Sequence, residues 1–274
     1  MTRYAGFAMD HPAIFHFNAF CGPAGSGNPG AACMLTGPRP SEWMQTVAAQ
    51  MNLPMTAFLH SVGPAEYAMR WFDPDSERPL CGHATLGAAH ILWNDLQRES
   101  SDELSFQTAG GVLKARRYPD GIEISLPLNK CAAAAKPDWL ERVLGLTPLQ
   151  VLAGSRMYLV ELNNQSEVAE LKPDFALLRR VADRGIIVTA HSDDPRYDCA
   201  SRYFPGYAGN NEDHVTGSAH CCVVPFWSDR LGKRVIKARQ LSARGGEMTG
   251  SVEGQKVNLR GQVRTVLRGD LLLD

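Results

Sequence analysis

The sequence lacks the features that mark several large classes of protein. No apolar run approaches the roughly 18 residues of a membrane span, and no basic stretch followed by an apolar core opens the chain. No long block of like charges occurs, and the net charge is −1, which favours neither nucleic acid nor an acidic membrane as a partner. We therefore expect a soluble, cytoplasmic protein with no nucleic-acid or membrane partner.

Signatures of metals and nucleotide cofactors are also missing. The seven cysteines form no C-x-x-C pair, and their odd number argues against a disulfide framework. The eight histidines show no H-E-x-x-H spacing, and there is no G-x-G-x-x-G motif or phosphate-binding loop. The sequence therefore predicts no metal and no cofactor.

What the sequence does contain is a repeat at about half its length. Four pairs of segments match in the same order: 70–72 (RWF) with 202–204 (RYF), 85–90 with 216–220, 110–111 with 245–246, and 120–121 with 253–254. Such an offset indicates two similar domains facing each other across a pseudo-twofold axis. The cleft between them is the natural place for a small-molecule site. Chance recurrence of glycine and aromatic residues is the alternative.

The composition supports two folded halves. With 44% hydrophobic and 21% charged residues, each half can bury an ordinary core. The best linker is 129–137, so we predict domains at 1–128 and 129–274 and leave open whether the last strand, 262–274, joins the first. Helices predicted at 84–97 and 215–227 are apolar on almost every side and must be enclosed, most simply by a curled sheet. The halves are therefore expected to be mixed α/β.

Three further elements are predicted to be helical. Residues 25–29 are typical of a turn into a helix, since Pro29 suits a first helical position. A helix over 41–52 is expected with Ser41 as its N-cap, and a single helix is predicted near 166–183.

The repeat places chemistry-bearing loops before both central helices. One loop holds Cys81, Gly82 and His83, and the other holds Asp213 ahead of Thr216-Gly217-Ser218. Small residues at a helix start let a ligand approach the free N–H groups, and the helix dipole favours an anion. Two such starts facing each other would bind a carboxylate and stabilise an adjacent enolate-like charge. With His83 and Asp213 as opposed acid and base, this arrangement suits a proton-shifting isomerase or epimerase.

Plainer roles for the same residues stay open. Asp213 could be only a helix N-cap, and His83 only a structural residue. Cys81, beside a helix start, could have a lowered thiol pKa or could be a buried, inert thiol. Asn28 could contact a ligand through its amide or simply shape its turn.

At these loops the sequence resembles the phenazine-biosynthesis (PhzF-like) isomerase family. The segments that carry the resemblance are RWFDPDSERPLCGHATLGAAHILW (70–93), SRYFPGYAGNNEDHVTGSAHCCVVPFW (201–227), GNPGAACML (27–35) and RQLSARGGEM (239–248). The resemblance covers nearly the whole chain. It implies the diaminopimelate-epimerase-like α+β fold, in which two pseudo-symmetric domains are each a curled, mostly antiparallel sheet around a central helix. It also implies cofactor-independent isomerisation of a small carboxylic acid by a homodimer.

Positions carried over from the resemblance complete the predicted site. The predicted catalytic residues are Asp213, His83 and Cys81, and the predicted substrate-binding residues are Asn28, Gly82, Thr216, Gly217, Ser218 and Met55. No cysteine lies opposite Cys81, whose repeat partner is Glu212, so the two-thiol mechanism of related epimerases and racemases is disfavoured.

Two positions depart from the family pattern. Met55 stands where the family usually carries its principal acid/base, a glutamate, and a thioether cannot carry a proton. Asn18 likewise replaces the usual aspartate before Ala-Phe. Either the proton chemistry has moved to Asp213, His83 or Cys81, or the protein only binds its ligand.

Overall fold

The structure is a computed structural model that describes residues 11–23, 25–206 and 211–273. Its α-helices are α1 Ser41–Met51, α2 Gly82–His90, α3 Leu140–Leu144, α4 Gln165–Glu170, α5 Phe175–Val181 and α6 Gly217–Leu231, and a π-helical segment, Ile91–Asp95, continues α2. Its strands are β1 Ala13–Ala19, β2 Asn28–Met34, β3 Thr56–Gly63, β4 Glu66–Phe72, β5 Glu77–Arg78, β6 Glu103–Thr108, β7 Gly111–Tyr118, β8 Gly121–Pro127, β9 Ala132–Ala133, β10 Gln150–Ala153, β11 Met157–Glu161, β12 Gly185–His191, β13 Cys199–Phe204, β14 Val235–Gln240, β15 Gly246–Glu253, β16 Lys256–Gly261 and β17 Val263–Asp270.

The strands form two series with the same pairing pattern. In the first half the order is β17, β1, β2, β3, β4, β6, β7, β8, and in the second it is β9 through β16. In both series the successive pairings are antiparallel, antiparallel, parallel, antiparallel, parallel, antiparallel and antiparallel. The internal repeat of the sequence is thus a repeat of sheet topology, and the fold is α+β with two pseudo-symmetric halves.

The halves are joined where β8 pairs antiparallel with β16. Ser125 is aligned with Asn258 there, and its hydroxyl donates to Asn258 Oδ1 at 2.6 Å. These two positions are equivalent in the repeat, so the pseudo-twofold axis passes close to them. The chain crosses from one half to the other after each of these strands, because β9 pairs with β10 and β17 pairs with β1. The domain boundary near residue 128 stays a prediction.

Each half encloses one apolar helix, as the sequence predicts. All residues of α2 from Gly82 to Ala89 are buried, and α2 packs against β1, β2 and β8. Helix α6 packs in the same way against β14, β15 and β16. The outer faces of the sheets carry separate clusters, covered by α1 in the first half and by α3, α4 and α5 in the second. No helix in the described ranges is long and apolar enough to cross a membrane.

Two of the predicted helices are wrong. Residues following Gly27 form strand β2 instead of a helix, because β1 and β3 supply backbone partners on both sides. The helix predicted over 166–183 is divided into α4 and α5. Pro173 cannot donate a helical hydrogen bond, and Asp174 caps α5 by accepting from the Leu177 N–H.

Candidate functional site

The two central helices begin beside each other at the interface of the halves. A Cβ placed on Gly82 would lie 3.8 Å from the Cα of Gly217, so the starts of the two helices are within van der Waals distance of each other. Among the described residues, no side chain caps either helix, although Cys81 and Thr216 occupy the N-cap positions. The first-turn N–H groups of both helices therefore remain available to an anion at the same place.

Asp213 is held in this junction by residues from both halves. Its Oδ1 accepts from Asn28 Nδ2 at 2.8 Å, and its Oδ2 accepts from Thr216 Oγ1 at 2.6 Å. Asn28, which is fully buried, also donates to the Val215 carbonyl at 2.7 Å. The alternative that Asp213 is the N-cap of α6 is wrong, because Thr216 occupies that position and the Asp213 oxygens accept from side chains. The amide of Asn28 is more than a turn former, since it links β2 to the Asp213 loop.

Gln240 is a site residue that the sequence analysis missed. It is 1% exposed, its Nε2 donates to the Asp213 carbonyl at 2.7 Å, and its Oε1 accepts from the Thr216 N–H at 2.8 Å. Gln240 thereby fixes the backbone on both sides of the loop that carries Asp213. The signal available was its place in the segment 239–248, which supported the family resemblance without suggesting a role.

His83 and Cys81 form a second pair on the α2 side of the junction. Cys81 Sγ lies 3.4 Å from His83 Nδ1, and both residues are buried. Burial raises the pKa of the Cys81 thiol to about 12. The structure therefore supports a buried, protonated thiol over one with a lowered pKa. Burial also lowers the pKa of His83, which is therefore neutral at neutral pH. His83 Nε2 has no hydrogen-bond partner among the described residues.

Asp213 is the negative charge around which this site is organised. Burial has the larger effect on the pKa of each neighbouring titratable group. The charge of Asp213 raises the pKa of the His83, His214 and His220 imidazoles and of the Cys81 thiol. A carboxylate that acts on four titratable groups from both loops lies near the centre of the cluster.

Met55 is buried, whereas Ser218 is exposed. Met55 is 8% exposed and belongs to the same apolar cluster as Cys81. It directly precedes β3, and its carbonyl accepts from the Ala31 N–H of β2 at 2.9 Å. Ser218 is exposed in the first turn of α6, so its contact with a ligand stays a prediction.

Asn18, the second departure from the family pattern, binds an arginine from the other half. Arg244 Nη2 donates to Asn18 Oδ1 at 2.9 Å, and Arg244 Nε donates to the Gly27 carbonyl at 2.9 Å. The amide accepts this hydrogen bond without neutralising the guanidinium, so the contact next to Asn28 keeps a positive charge.

In the ranges that the structure describes, no cluster of three or more histidine, cysteine, aspartate or glutamate side chains could hold a metal ion.

Comparison with known proteins agrees with this geometry. The family model for phenazine biosynthesis-like proteins (PhzC–PhzF) matches residues 17–269. The chain belongs to the phenazine biosynthesis-like (PhzF) family. A relative named as an uncharacterized isomerase of Halalkalibacterium halodurans is 42% identical over 261 residues, which cover 95% of this chain and 98% of the relative.

Solved structures place the family in a wider fold group. A PhzF-family protein of Enterococcus faecalis superposes with a TM-score of 0.90 at 31% identity, over 96% of this chain and 100% of the other. A probable proline racemase of Agrobacterium radiobacter superposes with a TM-score of 0.61 at 11% identity, covering 96% of this chain and 93% of the other. The second likeness shows the fold alone. The PhzF chain thus shares the epimerase-like architecture that its sequence predicts.

Proposed function

We propose that this PhzF-family protein is a cofactor-independent isomerase that shifts a proton on a small cyclic carboxylic acid. The observation that carries the proposal is the position of Asp213, held by both halves of the molecule beside two meeting helix N-termini. Relatives named as isomerases support the same class of reaction.

The proposed reaction begins with the substrate carboxylate at the first-turn N–H groups of α2 and α6. Each carboxylate oxygen of Asp213 already accepts one hydrogen bond and keeps capacity for another, so Asp213 can take a proton from a substrate carbon. The electron pair left behind delocalises toward the bound carboxylate, where the N–H groups and helix dipoles stabilise the enolate-like charge. Return of a proton to a different carbon completes the isomerisation with no net gain or loss of atoms.

His83 can supply that second proton from Nε2 while the Cys81 thiol passes its own proton to Nδ1, and protonated Asp213 then returns a proton to the thiolate, which restores the starting state. Because the Cys81 thiol keeps its proton, it can donate to His83 Nδ1, which leaves the imidazole proton on Nε2. That nitrogen is buried without a hydrogen-bond partner of good geometry among the described residues, while interaction with the Pro29 backbone favours the protonated ring. Asp213 and His83 then act as base and acid from opposite loops.

A non-catalytic, ligand-binding protein is the second candidate, and Met55 favours it. The family's usual acid/base position holds a thioether that is buried in an apolar cluster. Such a protein would gain thermal stability from its ligand without exchanging ligand protons. We also propose that the isomerase is a homodimer located in the cytoplasm, as the sequence leads us to expect.

Solvent-deuterium exchange distinguishes the two candidates. The protein is incubated in deuterated water with a library of small carboxylic acids, and deuterium at carbon is measured by mass spectrometry. The isomerase proposal predicts a mass increase of one or more units in at least one acid, absent without protein. A library in which acids stabilise the protein against heat but none gains deuterium would contradict it in favour of the binding protein.

A further inference from the structure

A cavity of about 330 Å³ lies on the outer face of the sheet in the first half. Phe58 of β3, Ala68 of β4 and Met44 of α1 line its apolar part. None of the residues predicted for the active site lines it, and α2 lies on the opposite face of these strands. The volume is at the small end of the range of about 300–1,000 Å³ typical of ligand pockets.

The matched arginines of the two halves bind different partners on this face of the sheet. Arg70 in β4 and Arg202 in β13 are matched in the repeat and stack on the matched Phe72 and Phe204. Arg202 donates to the backbone carbonyls of residues 168, 169 and 171 at the end of α4. Arg70 donates to the Ser41 hydroxyl at the start of α1 at 2.8 Å and lines the cavity.

The two halves also differ in the length of chain that precedes α1 in the first half and α5 in the second. In the second half, residues 162–174 lead from β11 to α5 and include α4, which packs on β12 and β13. In the first half, residues 35–40 lead from β2 to α1, and these described residues form no helix. Leu35, Pro38 and Arg39 of this short connection line the cavity. Helix α4 packs on β12 and β13, and α1 packs on the matched β3 and β4, so the cavity lies beside α1.

The charged lining favours an anion. It contains two guanidiniums, Arg39 and Arg70, and one carboxylate, Glu77. Both oxygens of Glu77 are engaged by Arg70, at 2.7 and 2.6 Å. Arg39 stacks over the Trp43 ring at 5.2 Å and forms no ion pair with a carboxylate in the described part of the chain. One positive charge at the rim is left for a ligand.

We propose that this cavity is a second small-molecule site, which binds a carboxylate with an apolar aromatic body. The aromatic body contacts Phe58, Ala68 and Met44, and the carboxylate lies at the rim beside Arg39, where water still reaches the charge. The site is independent of the proton chemistry at Asp213.

Binding of 2-naphthoate to the full-length protein tests the proposal. Calorimetry compares wild type with Ala68→Phe, which fills the cavity, and with Ala68→Ser, which keeps it open. We expect Ala68→Phe to weaken binding at least tenfold and Ala68→Ser to leave it within about twofold. Unchanged affinity in a folded Ala68→Phe protein would mean that the probe binds elsewhere, including at the helix junction, and would overturn the proposal.

An exposed charge variant covers the case in which Ala68→Phe does not fold. Arg39→Gln should weaken 2-naphthoate binding about two- to fivefold, the range for an exposed ion pair, while neutral 2-naphthamide should lose no affinity. Arg142→Gln, an exposed arginine of α3, is the matched control and should change neither ligand. Absence of 2-naphthoate binding to wild type, or equal losses in Arg39→Gln and Arg142→Gln, would contradict the site. A change of oligomeric state in Ala68→Phe, seen by sedimentation, would instead assign the cavity to a subunit interface.

Discussion

Met55 shows how one side chain limits the chemistry that this chain can perform. It is 8% exposed and packs in the cluster that contains Cys81, at the position where relatives usually carry their acid/base. An unbranched thioether fits such an apolar wall, whereas a carboxylate there would lose its hydration. Under the proposed function, proton transfer depends instead on Asp213 and His83.

Met55→Glu is expected to damage this protein instead of improving it. Burying a carboxylate at this position should lower the free energy of unfolding by about 2 kcal/mol or more and reduce turnover of the native substrate. Met55→Leu is the matched control, since a volume-conserving exchange usually costs less than about 1.5 kcal/mol. Urea unfolding and the exchange assay measure the two effects. Exchange activity that appears in Met55→Glu but is absent from wild type would support the non-catalytic candidate.

The paired helix starts are the element on which the site depends. Gly82 and Gly217 face each other where helices α2 and α6 begin. The space available for an added Cβ differs between the two glycines. A Cβ on Gly82 would lie 3.1 Å from Leu126 Cδ1, whereas a Cβ on Gly217 would meet nothing closer than 3.5 Å. The pseudo-symmetry of the junction is therefore broken by local packing.

This asymmetry predicts different outcomes for the same substitution. Gly217→Ala should be at least as stable as wild type, because alanine favours the helix and its methyl group fits. Gly82→Ala should be less stable than Gly217→Ala by about 1–3 kcal/mol, the usual cost of overpacking. Denaturant unfolding of both variants, with Gly269→Ala as an uncrowded control, measures the difference. Equal stability of the two variants would contradict the packing described at α2.

At the scale of the whole molecule, buried histidines make stability depend on pH. Burial lowers the pKa of five described histidines, His16, His83, His90, His214 and His220, the last to about 4. Between the folded and unfolded pKa values, the unfolded chain binds protons that the folded chain does not. The free energy of unfolding should therefore fall as the pH drops below the ordinary histidine value of 6.5.

The contribution of His220 can be measured separately. The lowered pKa of His220 predicts that the free energy of unfolding decreases by about 2 kcal/mol between pH 7 and pH 5. Urea unfolding at pH 7.5, 6.5 and 5.5 should show a smaller pH dependence in His220→Gln than in wild type. His11→Gln, at an exposed position, is the matched control. The same slope in all three proteins would be incompatible with a buried, neutral His220.

The sequence predicts the fold more completely than it predicts the site. Repeated motifs and two all-apolar helices are enough to indicate two pseudo-symmetric halves, because both can be recognised in the sequence without knowledge of the tertiary contacts. Strand β2 was missed because its Gly-Asn-Pro start favours a turn into a helix, and only pairing with β1 and β3 makes it a strand. Gln240 was missed for a similar reason, since its role exists only through contacts with Asp213 and Thr216, which lie far from it in sequence.

In the proposed reaction, Asp213 moves a proton on a carboxylate bound at the helix junction. The most direct test is the rate of deuterium incorporation into a substrate from deuterated water, measured for wild type and Asp213→Asn at saturating substrate. Loss of a positioned acid/base should lower the rate about 10²- to 10⁴-fold, while substrate still stabilises the variant against heat. Asp229→Asn, an exposed aspartate of α6, should match wild type. Wild-type exchange rates in Asp213→Asn would contradict the account.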